Sequence, residues 1–449
     1  MHSSHVVAIF GGAVAGSEAA SLLAKQGIHC AVFEQNSLSY GKIEDGLPKW
    51  HIKLRDKEEK KINDKLDHPN VDFVPCTKLG RDVSFKDIVE NWGFSAILLA
   101  VGAWRDRPLP IDGIDAWIEK GFIYQNPFFK WYNHSHEKDN GIDKIDIHDE
   151  TVIVGGGLAS IDVVKALMCE IIGRSLAKKG HTVDMFTLEK KGPVNIAAEL
   201  GFSMQDLGIK GCALYYRRNA HFMPITPIPE NADERRINKA YEVRNRMLNK
   251  LQKDFYFTLE ECWAPVDKII EDDRLAGLVF QKTKIENGRV KMVPDKTIEV
   301  KTPMVISSIG SIPEPIEDVP ADGSAYAVEN LHTGQINGFD NVFALGNAVT
   351  GRGNIRESRL HSVAVTEHVV HEHFKIPQDG ESEQADSTSA AVEKQVTGIQ
   401  QKMRAQGALT ESEVDDVLGR IKQRQKSVGY DCNYRSWVEK HTPVRLENM

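Results

Sequence analysis

Short, almost wholly apolar runs alternate with stretches of helical spacing along this chain, and glycine clusters mark where one gives way to the other. Val6-Val7-Ala8-Ile9-Phe10 has the uninterrupted, β-branched pattern of a strand covered on both faces of a parallel sheet. It runs into Gly11-Gly12-Ala13-Val14-Ala15-Gly16, beyond which a helix is expected from Ser17 to Ala24 and then a strand at 29–33 ending in Glu34. The same order recurs where Thr151-Val152-Ile153-Val154 precedes Gly155-Gly156-Gly157-Leu158-Ala159-Ser160 and a helix predicted over 158–178. A strand is predicted next at 182–188, leading into Glu189-Lys190-Lys191-Gly192-Pro193. Between the glycine clusters the pattern gives a mixed-charge helix over 53–65, a short strand at 71–74 and a buried strand at 94–102. The 94–102 strand returns the chain to its first domain, comparable buried strands recur at 304–310 and 342–346, and the first domain is therefore discontinuous and interrupted by the second. Residues 377–383 open a polar linker. Thr410-Glu411-Ser412-Glu413 forms a capping box for a helix aligning Val414, Val417, Leu418 and Ile421.

A strand that feeds a tight turn and then a helix leaves free N–H groups, and the positive end of the helix dipole, facing outward as a seat for pyrophosphate. Glycine is needed where the turn is tight and where backbone meets phosphate, while the third position need only be small. The first copy keeps Gly11 and Gly16 with Ala13 between them; the second keeps Gly155 and Gly157, with Ser160 in third place. Glu34 stands where an acidic side chain accepts hydrogen bonds from an adenosine ribose. At the second copy, Glu189 could hold the ribose diol of NADH, Lys190 and Lys191 could pair with the 2′-phosphate of NADPH, or the lysines form a solvated turn. Two dinucleotides in one chain imply electron transfer between them. The expected fold class is α/β, with two dinucleotide-binding, Rossmann-like domains, the second inserted into the first, and a C-terminal helical tail.

Composition narrows the setting. A length of 449 residues argues for two or three domains, and a net charge of −8 argues against a nucleic-acid partner. No apolar run approaches the roughly 20 residues of a membrane span, and the first strand begins too early for a signal peptide, so a cytoplasmic protein is expected. Cys30, Cys76, Cys169, Cys212, Cys262 and Cys432 show no paired spacing, which leaves neither a redox disulfide nor an iron–sulfur cluster to receive electrons. No metal is expected either: His368, His371 and His373 lack the partner pattern of a ligand set.

Further motifs carry a family resemblance. Leu79-Gly80-Arg81-Asp82-Val83 is similar to V-G-R-D-V, Trp131-Tyr132-Asn133 to W-Y-N, Lys190-Lys191-Gly192-Pro193 to R-R-G-P, and Asp162 to the Asp of G-x-G-N-V-A-L-D. Over roughly residues 5–375 the chain resembles the adrenodoxin-reductase type of ferredoxin–NADP⁺ reductase, a relative of the glutamate synthase small subunit. The resemblance implies an FAD domain at 1–103 and 310–375, an NAD(P)H domain at 104–309, and a linker and helical tail at 376–449. FAD would meet Gly11, Ala13 and Gly16 at its pyrophosphate and Glu34 at its ribose, with Lys42 and Leu79 along the flavin. Gly346, Asn347, Gly353, Asn354 and Ile355 would wrap the ribityl chain and ring. NADPH, or NADH, would meet Gly156, Gly157, Leu158 and Ala159, with Lys190 and Lys191 at the phosphate and Asp206 matching a family acid. Tyr215-Tyr216-Arg217-Arg218, followed by Met223-Pro224, echoes the glutamate synthase small subunit and gives a rival seat for that phosphate. Two departures stand out: Asn347 replaces a tryptophan, and Gly46-Leu47-Pro48-Lys49-Trp50-His51 replaces G-V-A-P-D-H-P.

These readings converge on an FAD-dependent NAD(P)H oxidoreductase that moves hydride from NADPH to flavin and then electrons to an external carrier such as ferredoxin. His51 is the candidate proton-handling residue, with a structural histidine as the alternative. Arg352 could offset charge on the reduced flavin, and Gly353 leaves room for the nicotinamide. The alternatives are an NAD(P)H-oxidising subunit docked to a partner oxidoreductase, and a non-catalytic flavin-binding assembly module. The tail either packs back on the core or mediates self-association.

Overall fold

The computed structural model describes residues 4–137, 141–229, 231–351, 353–377 and 408–449. In chain order it forms β1 (Val6–Phe10), α1 (Val14–Lys25), β2 (His29–Phe33), α2 (Ile52–Leu66), β3 (Val71–Val74) and β4 (Ala96–Leu99). There follow β5 (Phe122–Tyr124), α3 (Gln125–His134), β6 (Val152–Gly155), α4 (Leu158–Lys178), α5 (Met185–Lys191), β7 (Cys212–Tyr216), α6 (Glu234–Phe255) and β8 (Phe257–Glu261). Three long strands, β9 (Trp263–Glu271), β10 (Arg274–Glu286) and β11 (Arg289–Lys301), precede β12 (Val305–Ser308), β13 (Val342–Ala344) and α7 (Ile355–His368). The tail contributes α8 (Glu411–Ser427) and α9 (Tyr434–His441). The chain divides into two compact units, one of Met1–Glu44, Lys53–Arg105 and Ser311–Met449, the other of Asp45–Ile52 and Asp106–Gly310.

The first unit is built on a parallel sheet in the order β13-β4-β1-β2-β3. Every residue of β1 is buried, as an apolar strand with both faces covered must be. On one face lie Ala19, Ala20 and Leu23 of α1 with Val365 of α7; on the other, Phe85 and Ile88 meet Val414, Val417 and Ile421 of α8. The tail is thus part of this unit's core. Its capping box forms as the sequence predicts, with Thr410 and Glu413 each receiving the other's backbone N–H. Burying each of the valine, leucine, isoleucine and phenylalanine side chains among these stabilises the unit by roughly 1.5–3 kcal/mol.

The second unit carries its own parallel sheet, in the order β5-β12-β6-β7-β8, beside an antiparallel sheet of β9, β10 and β11. Residues 45–52, expected with the first domain, belong here. One expected element is overturned. Residues 182–188 are not a strand: Asp184 accepts from the Thr187 N–H at 2.9 Å and caps α5, while Pro193 opens a further helix at Pro193–Glu199. Both devices specify helix termini and outweigh the β-branched composition of the segment. On the side of β6 away from β12, the strand that pairs with it is β7, in the register Val152↔Ala213, Ile153↔Leu214 and Val154↔Tyr215.

Candidate functional site

The turn after β1 is dictated by close backbone packing. Gly11 has φ +99°, and a Cβ there would lie 2.5 Å from the Ala100 carbonyl oxygen; one on Gly16 would lie 1.8 Å from the Gly11 oxygen. Ala13 occupies the N-cap of α1 with no side-chain cap, so the helix's first-turn N–H groups have no capping side chain. At the end of β2, Glu34 is buried and turned back toward this loop: its carboxylate accepts from Gly12 N–H at 2.9 Å and from Asn36 N–H at 3.0 Å. A carboxylate at the tip of the second strand, beside a glycine turn after the first, is the arrangement that serves a dinucleotide's ribose and pyrophosphate.

The segment after β13 adds to this unit. Gly346 has φ +69°, and a Cβ there would meet the Ala15 methyl at 2.8 Å. Its N–H donates to His361 Nδ1 at 3.0 Å, while Nε2 of that ring faces the Leu331 carbonyl at 2.6 Å. Asn347 Oδ1 is buried and accepts no hydrogen bond among the described residues, leaving an acceptor for a ligand. Gly353 faces Asn347, Asn354 caps α7 by accepting from Glu357 N–H at 2.8 Å, and Ile355 opens that helix. Lys42 donates to Ser311 Oγ at 2.9 Å, and Leu79 is buried beside the turn closed by Gly80 N–H and the Val83 carbonyl. Arg352 lies outside the described residues.

In the second unit each glycine of the turn after β6 has its own reason. A Cβ on Gly155 would lie 2.4 Å from the Ser308 oxygen, and one on Gly156 would lie 2.1 Å from the Tyr216 ring, whereas Gly157 opens onto free space. Gly157 starts α4 without a side-chain cap, and Ser160 Oγ donates to its carbonyl at 2.7 Å. Leu158 is 57% exposed and Ala159 follows it on the first turn. An open glycine and an uncapped helix start make an anion seat.

Two basic pairs, Lys190-Lys191 and Arg217-Arg218, are the candidates for the charge that would select NADPH. Those lysines end α5 rather than a strand, and Lys191 pairs with Glu199 at 3.2 Å. Glu189, offered as a ribose acceptor, pairs with Lys165 of α4. Asp206 is exposed and accepts from the Ser203 N–H and hydroxyl at 2.9 and 2.6 Å, a local turn that holds its carboxyl below the usual range. The pair directly following β7, the strand beside β6, is Arg217-Arg218. Neither guanidinium is in an ion pair among the described residues.

His51 also lies in the second unit. Burial lowers its pKa, Lys165 lowers it further, and Glu189 opposes them, so the net effect favours the neutral ring. Lys165 Nζ sits 4.8 Å from the Trp50 ring centroid, and Trp50 meets Tyr132 edge-on at 5.9 Å. The Trp131-Tyr132-Asn133 motif anchors this segment: Asn133 accepts from Lys49 N–H and donates to the Leu47 carbonyl, both at 3.0 Å. Asp162, one turn before Lys165, has its pKa pushed up to about 7 by burial, against the opposing pull of Lys165. Sequence reasoning did not find Lys165, Tyr216 or Asn133 in these roles, because each acts on residues remote in the chain.

Two parallel sheets, each with a glycine turn after its central strand, place the molecule in the two-domain, Rossmann-like α/β class. The comparisons with known proteins sharpen that class. No family model matches the chain. It is 31% identical over 199 residues to the glutamate synthase [NADPH] small chain of Bacillus subtilis, covering 42% of this chain and 36% of the relative. It is 24% identical over 344 residues to a probable ferredoxin/ferredoxin–NADP reductase of Mycobacterium bovis, covering 72% and 56% respectively. Among solved structures, FprA of Mycobacterium tuberculosis in complex with NADPH superimposes with a TM-score of 0.67 at 17% identity, over 94% of this chain and 90% of that one. These relatives carry the names of the family that the motifs resemble, and the structural likeness shows the fold. The chain spans from about a quarter to just over half the length of the curated relatives it matches. No helix among the described residues is long and apolar enough to cross a membrane.

Proposed function

We propose that this chain is an FAD-dependent oxidoreductase that takes reducing equivalents from NADPH and delivers electrons to an external carrier such as ferredoxin. The observation that carries the nucleotide choice is the placement of Arg217 and Arg218 directly after β7, next to the strand that feeds the open glycine turn. FAD, when bound, supplies the hydride and single-electron chemistry. The first unit fits that group: Glu34 would accept from the ribose, the uncapped start of α1 would face the pyrophosphate, and Asn347 Oδ1 would accept from a donor of the flavin half. Lys42, Leu79, Gly353, Asn354 and Ile355 would lie along the flavin, and Arg352 would offset negative charge on its reduced form. In the second unit Gly157, Leu158 and Ala159 would seat the nucleotide's pyrophosphate, and His51, held neutral, could accept a proton. The six cysteines are all free, which supports an acceptor outside the chain. A cytoplasmic location belongs to the same proposal.

Two charge-assisted contacts to a 2′-phosphate contribute about 1.5–3 kcal/mol each. Changing Arg217→Ala with Arg218→Ala is therefore expected to weaken NADPH about a hundredfold or more in a binding titration while sparing NADH. Lys190→Ala with Lys191→Ala is expected to leave NADPH binding unchanged; a selective NADPH loss in that variant would return the phosphate site to α5. A second reading, a subunit docked to a larger oxidoreductase, is favoured by the match to the glutamate synthase small chain. It predicts co-purification with a larger protein and slow reduction of free ferredoxin.

A further inference from the structure

The tail's side chains converge on the two loops that flank Glu34. Both loops lie at the C-terminal ends of parallel strands, where an α/β sheet binds its ligand. After β2, the Ser37 carbonyl accepts from Trp437 Nε1 at 2.7 Å, and Trp437 is buried. After β3, Thr77 N–H donates to the Glu34 carbonyl at 2.7 Å, and the Thr77 hydroxyl in turn accepts from Arg424 Nε at 2.9 Å. Cys76 N–H closes the two loops on each other by donating to the Asn36 carbonyl at 3.1 Å. Gln425, almost wholly buried, donates to the Phe73 carbonyl at 2.9 Å at the same strand end. The chain thus uses three tail side chains, from α8 and α9, to hold the backbone on either side of one carboxylate.

We infer that the α8–α9 tail is a positioning element for the adenosine half of the flavin: by fixing the 35–37 and 75–77 loops it holds Glu34 at the orientation that receives the ribose. This rests on the assignment of FAD to the first unit. None of the three side chains bonds Glu34's carboxylate, so the effect passes through backbone. A brace at the adenosine end selects for FAD over FMN, which lacks that half, and leaves contacts to the isoalloxazine untouched.

The test uses full-length apoprotein, with FAD and FMN dissociation constants read separately from the flavin fluorescence change on binding. Trp437→Phe keeps an aromatic ring in place and removes the N–H together with the five-membered ring that carries it; Arg424→Met keeps the stem and removes the guanidinium, with its bond to Thr77 and its 3.9 Å pairing with Asp82. Each is expected to weaken FAD about three- to tenfold, and the pair more, with FMN affinity and the apoprotein's unfolding midpoint nearly unchanged. Should FAD and FMN affinities fall in parallel, or FAD affinity stay at the wild-type value, the tail is a structural cover and the inference fails. Wild-type apoprotein that binds FMN as tightly as FAD would instead overturn the adenosine role of Glu34, and the inference with it.

Discussion

Asp162 shows how much a single residue reports about the second unit. Its carboxyl is raised to about 7 because burial penalises the anion more than Lys165 favours it. A folded pKa above the unfolded value of about 3.9 means that its stabilising contribution is complete below that value and is lost as pH rises through about 7. Asp162→Asn is therefore expected to raise the denaturant midpoint at pH 8, by about 2–4 kcal/mol in stability, and to give no such gain at pH 4. Gly156 makes a second residue-scale test. A methyl group there would strike the Tyr216 ring, so Gly156→Ala should cost about 1–3 kcal/mol. Adding Tyr216→Ala should recover part of that loss, a non-additivity that a double-mutant cycle measures directly.

Among elements, the tail helix and the α5 segment teach opposite lessons. Capping box and apolar stripe made α8 legible from sequence, because both signals are local and agree. Thr410→Ala is expected to cost about 1 kcal/mol and Ile421→Ala about 2–5 kcal/mol, measured by chemical denaturation; losses near zero would mean that the tail is not docked in solution. At 182–188 the composition pointed to a strand while Asp184 and Pro193 pointed to helix starts, and the terminus signals won. That expectation made Lys190-Lys191 the basic pair following the second strand, a place that Arg217-Arg218 takes in the structure. The glycine turns, Glu34 and the buried strands were readable because their geometry follows from residues close in sequence. Asn133 on Lys49, Tyr216 over Gly156 and the tail over Ser37 were not, since nothing local announces a partner tens or hundreds of residues away.

At the scale of the whole molecule, each unit carries a parallel sheet with an uncapped helix start after a glycine turn, and the six cysteines are free. That duplication supports the proposal of one dinucleotide per unit. The central claim is that the two nucleotides exchange electrons. Anaerobic titration of the purified protein, followed at the flavin absorbance, tests it most directly. The account predicts a bound flavin that is bleached by about one equivalent of NADPH, with NADH far less effective. A protein that carries no flavin, or one whose flavin spectrum is unmoved by either nucleotide, would contradict it.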